Sequence, residues 1–255
     1  MMTPAGCRPV LATAVLLGGC VSVGGVQLAD TLGRGHVQVG LEPGAQLVAP
    51  RANSGPSNDP VAVPHLDAAV RYGVTEAVDV GLRVGQSVGE LQGKFLLTRP
   101  GHPLLAVSLA PSVGGLVVSG GTGAAVATAG LLSVAVPVLI GVRFRKGSEL
   151  VLGPRLQGIA AFGASGAGGP PLFFLGAGAS VGFAWRLSGR LALMPELAAL
   201  FPVAASGRTS GAFPAVPGLG TFVVQLKVGV LIGQMRELEE SVERLPPHSP
   251  LDDLR

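Results

Sequence analysis

Three times between Asp67 and Lys94 an acid precedes a base by four positions: Asp67 and Arg71, Asp79 and Arg83, Glu90 and Lys94. Carboxylates and cations in such a pattern can move protons in general acid–base catalysis, line a polar path for a small solute, or neutralise one another where water is scarce. Catalysis needs a nucleophile with a base beside it, and the sequence offers none. His36, His65, His102 and His248 have no metal-ligand spacing, although His36 and His65 could approach each other on adjacent strands. Gly176-Ala177-Gly178 is not followed by the helix that a dinucleotide loop requires, and Gly114–Gly130 lacks the Lys-Ser/Thr ending of a phosphate loop. The expectation is a protein that is not an enzyme and carries no cofactor, its charges serving structure or a narrow path.

The elements that position these charges must be strands. The chain is 48% hydrophobic with 40 glycines and a mean hydropathy of +0.54, but only 13% charged, where soluble domains carry about 25%. A net charge of +3 without a basic cluster interleaved with aromatics excludes nucleic-acid binding. In the most apolar stretch, Leu132, Val134, Val136, Val138, Ile140, Val142 and Phe144 share one parity, while Ser133, Pro137, Gly141, Arg143 and Arg145 share the other. A helix would spread the arginines round its circumference, whereas a strand keeps them on one face.

The same alternation predicts ten strands, near 34–48, 61–72, 77–85, 89–98, 104–114, 130–145, 149–162, 172–187, 190–203 and 220–234. Each is about the 9–11 residues that a tilted membrane strand needs. Tight turns at Gly73–Glu76, Arg99–His102, Lys146–Ser148 and Ser188–Gly189 alternate with long loops at 49–60, 114–129, 163–171 and 204–218; only Gln86–Val88 is short where a long loop is due. Tyr72, Phe95, Phe144 and Trp185 stand beside the tight turns, and Phe162, Phe173, Phe201, Phe213 and Phe222 beside the long loops. Aromatic girdles at the two membrane interfaces have this arrangement.

With the apolar parity turned to lipid, the lumen receives Glu42, Asp67, Arg71, Asp79, Arg83, Glu90, Lys94, Arg143, Arg155, Glu196 and Lys227. Folding 61–72 onto 77–85 with Tyr72 opposite Val78 sets Arg71 against Asp79 and Asp67 against Arg83. Folding 77–85 onto 89–98 with Gly85 opposite Val88 sets Arg83 against Glu90 and Asp79 against Lys94. Inward glycines such as Gly141 and Gly229 leave either a thin channel or room for bulky neighbours.

The final strand, with Phe222, Val224, Leu226, Val228, Val230 and Ile232, is similar to the closing strand of bacterial outer-membrane β-barrels, though the chain continues beyond it. At the other end, Arg8, the apolar run Val10–Leu17 and Leu17-Gly18-Gly19-Cys20 form a targeting segment. Its last four residues resemble the lipobox of bacterial lipoproteins, which implies cleavage before Cys20 and a covalent lipid, palmitate included, on that thiol. Cys7 and Cys20 are the two cysteines, so the mature chain has no disulfide.

The fold class expected is therefore all-β, a closed antiparallel up-and-down transmembrane barrel of about ten strands with a short C-terminal helical tail. Its segments would be a signal peptide (1–19), a periplasmic linker (20–33), the barrel (34–234) and a periplasmic tail (235–255), in the outer membrane with both termini periplasmic. The expected partners are membrane lipid and, through a narrow pore, a small solute; the lumen is otherwise filled by charged pairs. The alternative is a lipid-anchored periplasmic barrel that binds an apolar ligand, which requires the apolar parity to face inward.

Overall fold

The computed structural model describes residues 22–49, 61–85, 89–122, 125–144, 147–162, 172–206 and 222–235. Cys20 and its targeting segment, Phe213, and the tail after Met235 lie outside the described residues. Strands run in chain order as β1 (Val37–Ala49), β2 (Val61–Gly73), β3 (Val78–Gly85), β4 (Gly89–Leu96), β5 (Leu105–Leu109), β6 (Ser112–Thr122), β7 (Ala125–Arg143), β8 (Glu149–Leu152), β9 (Arg155–Phe162), β10 (Leu172–Ser188), β11 (Leu191–Ser206) and β12 (Phe222–Gly233). Among the described residues no helix is long and apolar enough to cross a membrane, and the apolar stretch Pro103–Val142 is built of strands.

Twelve segments occupy ten tracks. β5 and β6 keep one register against both β4 and β7, and β8 and β9 keep one register against both β7 and β10. Each track is interrupted at a proline, Pro111 and Pro154, whose carbonyls still accept from Gly93 and Val138 but which have no N–H to return to the ladder. Every pairing is antiparallel, and β12 pairs with β1, so the sheet closes.

Stepping from partner to partner, Val37 leads through Tyr72, Val80, Gly93, Pro111, Val136, Leu156, Ala177, Phe201 and Phe222 to Ala49, twelve residues farther along the strand where the circuit began. Such stagger tilts the strands by roughly 40° to the barrel axis. The hairpins β2–β3, β4–β5, β7–β8 and β10–β11 turn at one end, called here the turn end, where β1 starts and β12 stops.

Two expectations about connections are corrected. The long loop placed at 114–129 is instead ladder, with β6 and β7 paired from Ser112–Ala135 out to Thr122–Ala125, because the glycines and small residues there permit strand geometry as readily as a loop. The β2–β3 register is displaced by two residues from the one expected, with Tyr72 opposite Val80. The Val74 N–H bonds the Val78 carbonyl at 2.8 Å, so the ladder runs closer to the turn and leaves a three-residue loop. Arg71 and Asp67 consequently face Gly81 and Gly85 rather than Asp79 and Arg83. A Cβ on Gly81 would lie 3.1 Å from Arg71 Cγ, and one on Gly85 2.2 Å from Asp67 Oδ1, so these glycines make room for the side chains opposite. A slip of two preserves the face of every residue. The β3–β4 register does set Asp79 opposite Lys94 and Arg83 opposite Glu90.

The faces are inverted relative to a soluble protein. Leu82, Leu91, Val134, Leu197 and Leu226 are exposed on the outside, while Glu42, Asp67, Arg83 and Lys227 are at most 2% exposed within. Tyr72, Phe95, Phe144 and Trp185 ring the outside of the turn end, with Phe183 5.2 Å from Trp185 and 6.0 Å from Phe144 between centroids. Phe162, Phe173, Phe201 and Phe222 ring the other end, the last two 4.6 Å apart. On β10, Phe173 and Trp185 are twelve residues apart, which at about 3.3 Å per residue and a tilt near 40° is roughly 30 Å along the axis, the thickness of a bilayer's hydrocarbon core.

Candidate functional site

Among the described residues, buried ionisable side chains converge in the interior. Of the eleven residues named from sequence, ten are buried within the ring, and Arg155 is half-buried with its guanidinium directed inward to the Val23 carbonyl. Strand alternation puts them there, since each sits between outward apolar neighbours.

They form two tiers. At mid-height Lys227 Nζ lies 3.0 Å from Glu42 Oε2 and 3.0 Å from Asp67 Oδ2, joining β12 to β1 and β2. Arg83 pairs with Glu90 on β4 and lies 3.5 Å from Glu42, to which Arg71 approaches at 3.7 Å. Nearer the turn end Lys94 meets Asp79 at 3.0 Å, and Arg143 stands 3.6 Å from Glu149. Asp67 therefore makes its ion pair with Lys227 and Asp79 with Lys94, the displaced β2–β3 register having set Asp67 and Arg71 opposite glycines. Glu196 faces Lys227 across the β11–β12 ladder. His36 and His65 do not meet: His36 Nδ1 is 2.8 Å from the Leu32 carbonyl, whereas His65 Nε2 is 3.1 Å from Gln225 Nε2.

The largest departure from the sequence reading is the segment before β1. Residues 20–33 were expected as a linker outside the barrel, but from Ser22 to Gly33 the described chain runs through the interior, buried throughout apart from a partly buried Leu28. Ser22 sits beside Gln157 and Gln225, on the side of the charged tier away from the turns, and the chain descends from there. Leu32 donates to both Asp79 oxygens at 3.1 Å, and Gly33 then crosses the end of β2. A Cβ on Gly73 would lie 1.8 Å from the Gly33 carbonyl, so only glycine allows this crossing. Gly33 and Gly35, at φ 86° and 80°, reverse the chain into β1 in a conformation that favours glycine.

Among the described residues the segment thus points its N-terminal end away from the turn end. The missed signal was composition: Val23, Val26, Leu28, Ala29 and Leu32, with Asp30 the single charge between Ser22 and Gly33, are too apolar for a solvated linker. Two of the inward glycines, Gly229 and Gly141, make room for this segment. A Cβ on Gly229 would come within 2.2 Å of Val26 and one on Gly141 within 2.8 Å of Ala29. Two further groups the sequence reading passed over, Asp30 and Glu149, complete the lower tier, Asp30 pairing with Arg143.

With the segment in place, two cavities beside it within the ring hold about one water each, and a wider cleft of about 780 Å³ opens at the turn end between Gly33, His36, Glu76, Arg99 and Arg190. Among the described residues no group of three or more His, Cys, Asp or Glu side chains could hold a metal ion. The inward polarity overturns the alternative of a barrel binding an apolar ligand, because the wall such a ligand would touch is charged.

No protein-family model and no curated protein matches the chain. Several solved structures resemble it. The translocator domain of the autotransporter NalP from Neisseria meningitidis is 13% identical, covering 78% of this chain and 88% of its own at a TM-score of 0.39. Neisserial surface protein A is 9% identical, with 77% and 96% covered and a TM-score of 0.30. The outer membrane protein OprG from Pseudomonas aeruginosa is 12% identical, with 80% and 97% covered and a TM-score of 0.26. At these scores the likeness carries no argument of its own, and the fold rests on the closed ladder.

Proposed function

We propose that this chain is a bacterial outer-membrane β-barrel whose lumen is closed, a structural protein of the envelope and neither an enzyme nor an open pore. The observation that carries this reading is the inversion of faces: a continuous apolar belt with aromatic rings at both ends surrounds a ring of buried ion pairs. In water that belt would expose far more contiguous apolar surface than the few hundred Å² usual for a soluble monomer. Lipid is the solvent that suits it, and the closed ring leaves no backbone edge for lipid to meet.

Acylation of Cys20 is the finer part of this proposal. Labelled palmitate should enter the wild-type chain and not Cys20→Ser. The Cys20→Ser protein should still need detergent for extraction, migrate faster unheated than heated on a gel, and give no steps of conductance in planar bilayers. Release into buffer once the anchor is gone would overturn the membrane reading, and steady conductance would overturn the closed lumen.

A further inference from the structure

Residues 22–33 join no sheet, yet five of their N–H groups and five of their carbonyls are answered by side chains of the wall. The N–H groups of Val23 and Gly24 donate to Gln225 Oε1 at 3.2 and 2.8 Å, Gly25 to Glu196 at 3.2 Å, Ala29 to Glu149 at 2.8 Å and Leu32 to Asp79. Carbonyls are answered by cations and amides: Ser22 by Gln157, Val23 by Arg155, Gly24 by Arg83 and Lys227, Leu28 and Asp30 by Lys94. Wall acids thus take main-chain donors while wall bases take main-chain acceptors. The side chains are held by size, with Val26 over Gly229 and Ala29 over Gly141, by the ion pair of Asp30 with Arg143, and by the hydroxyls of Ser22, which accepts from Lys227 at 3.2 Å, and Thr31, which donates to the Glu76 carbonyl at 2.7 Å.

We infer that the lumen is a binding site for an extended peptide main chain bearing small residues, which Ser22–Gly33 occupies in cis. A wall built merely to neutralise itself would pair its charges with one another. Here Lys94 and Glu149, besides pairing with Asp79 and Arg143, and likewise Arg155 and Glu196, each spend hydrogen bonds on peptide groups, so that wall side chains do for this segment what a main-chain edge does when a sheet takes up a strand. Because those groups are common to all residues, the site discriminates by side-chain volume at positions 26 and 29 and by the acid at position 30. The inference goes beyond the membrane reading and does not rest on it, since binding can be read in detergent solution.

The test uses the full chain with its own segment evicted, by Val26→Trp with Ala29→Trp in one variant and by Asp30→Arg in a second. Folding is confirmed by heat-modifiable mobility, and a fluorescent synthetic peptide of residues 22–33 is titrated by anisotropy. Either evicted barrel should bind the peptide at least about tenfold more tightly than the wild-type barrel, whose site is filled, a difference of ~1.4 kcal/mol. A peptide N-methylated at Gly25 and Ala29 should bind at least about tenfold more weakly than the plain one. Equal binding by wild-type and evicted barrels, or by plain and N-methylated peptides, would overturn the inference. So would a chain that folds with neither eviction, because a segment that cannot leave is core and not a ligand.

Discussion

Lys227 holds the middle of the barrel together, since Glu42 and Asp67, both 0% exposed, each lie 3.0 Å from its ammonium. Removing one partner of a buried pair leaves an uncompensated charge and costs about 3–5 kcal/mol. Lys227→Met should therefore lower folding stability by about that amount, measured by urea titration of the protein in liposomes, whereas Arg34→Ala at the exposed turn should change it by no more than about 0.5 kcal/mol. Neutralising one acid as well, with Asp67→Asn, should recover much of the loss, because the burden is the stranded charge and not the missing lysine, while Glu42 still answers Arg71 and Arg83. The inward side of all these groups was legible in the sequence, as alternation assigns sides without reference to register. Their partners were less so: the Asp79–Lys94 and Arg83–Glu90 pairs follow from a short hairpin, but the partner of Asp67 comes from β12, far off in sequence.

At the scale of elements, the contact between β12 and the internal segment is set by a missing side chain. Gly229 leaves the space that Val26 fills, and a Cβ there would approach Val26 Cγ1 to 2.2 Å. Overpacking of this kind costs typically about 1–3 kcal/mol. Gly229→Ala should destabilise the barrel within that range and make the N-terminal segment more accessible to protease, and Val26→Gly in the same chain should reverse the accessibility. If Gly229→Ala is silent in both assays, the segment does not lie against β12. The same scale shows why β2–β3 eluded the sequence. Both registers kept every face and both brought charges together, and the choice was made by a main-chain bond from Val74 to Val78 and by room beside Gly81 and Gly85.

For the whole molecule, the apolar belt predicts a cost that depends on depth. Val136, near mid-height, and Val37, at the turn end, are comparably exposed on the outer face, at 41% and 46%. In a bilayer an arginine at the midplane costs about 2–4 kcal/mol and one near the interface about 0–1. Val136→Arg should thus be markedly more destabilising than Val37→Arg in liposomes, read from unfolding midpoints in urea. Equal effects would mean that no hydrocarbon surrounds the barrel.

Strand period, the side taken by each charge, the number of tracks and the aromatic rings are local properties, carried by alternation within one stretch of chain, and the sequence by itself determined them. What fills the ring is not local. Residues 22–33 show no strand period because neither of their sides faces lipid, and their place became visible only once Gln225, Glu196, Glu149 and Asp79 stood around one axis with N–H groups to accept. A closed wall of fixed charges needs partners in its interior, and only the tertiary structure shows that the chain supplies them from its own N-terminal side.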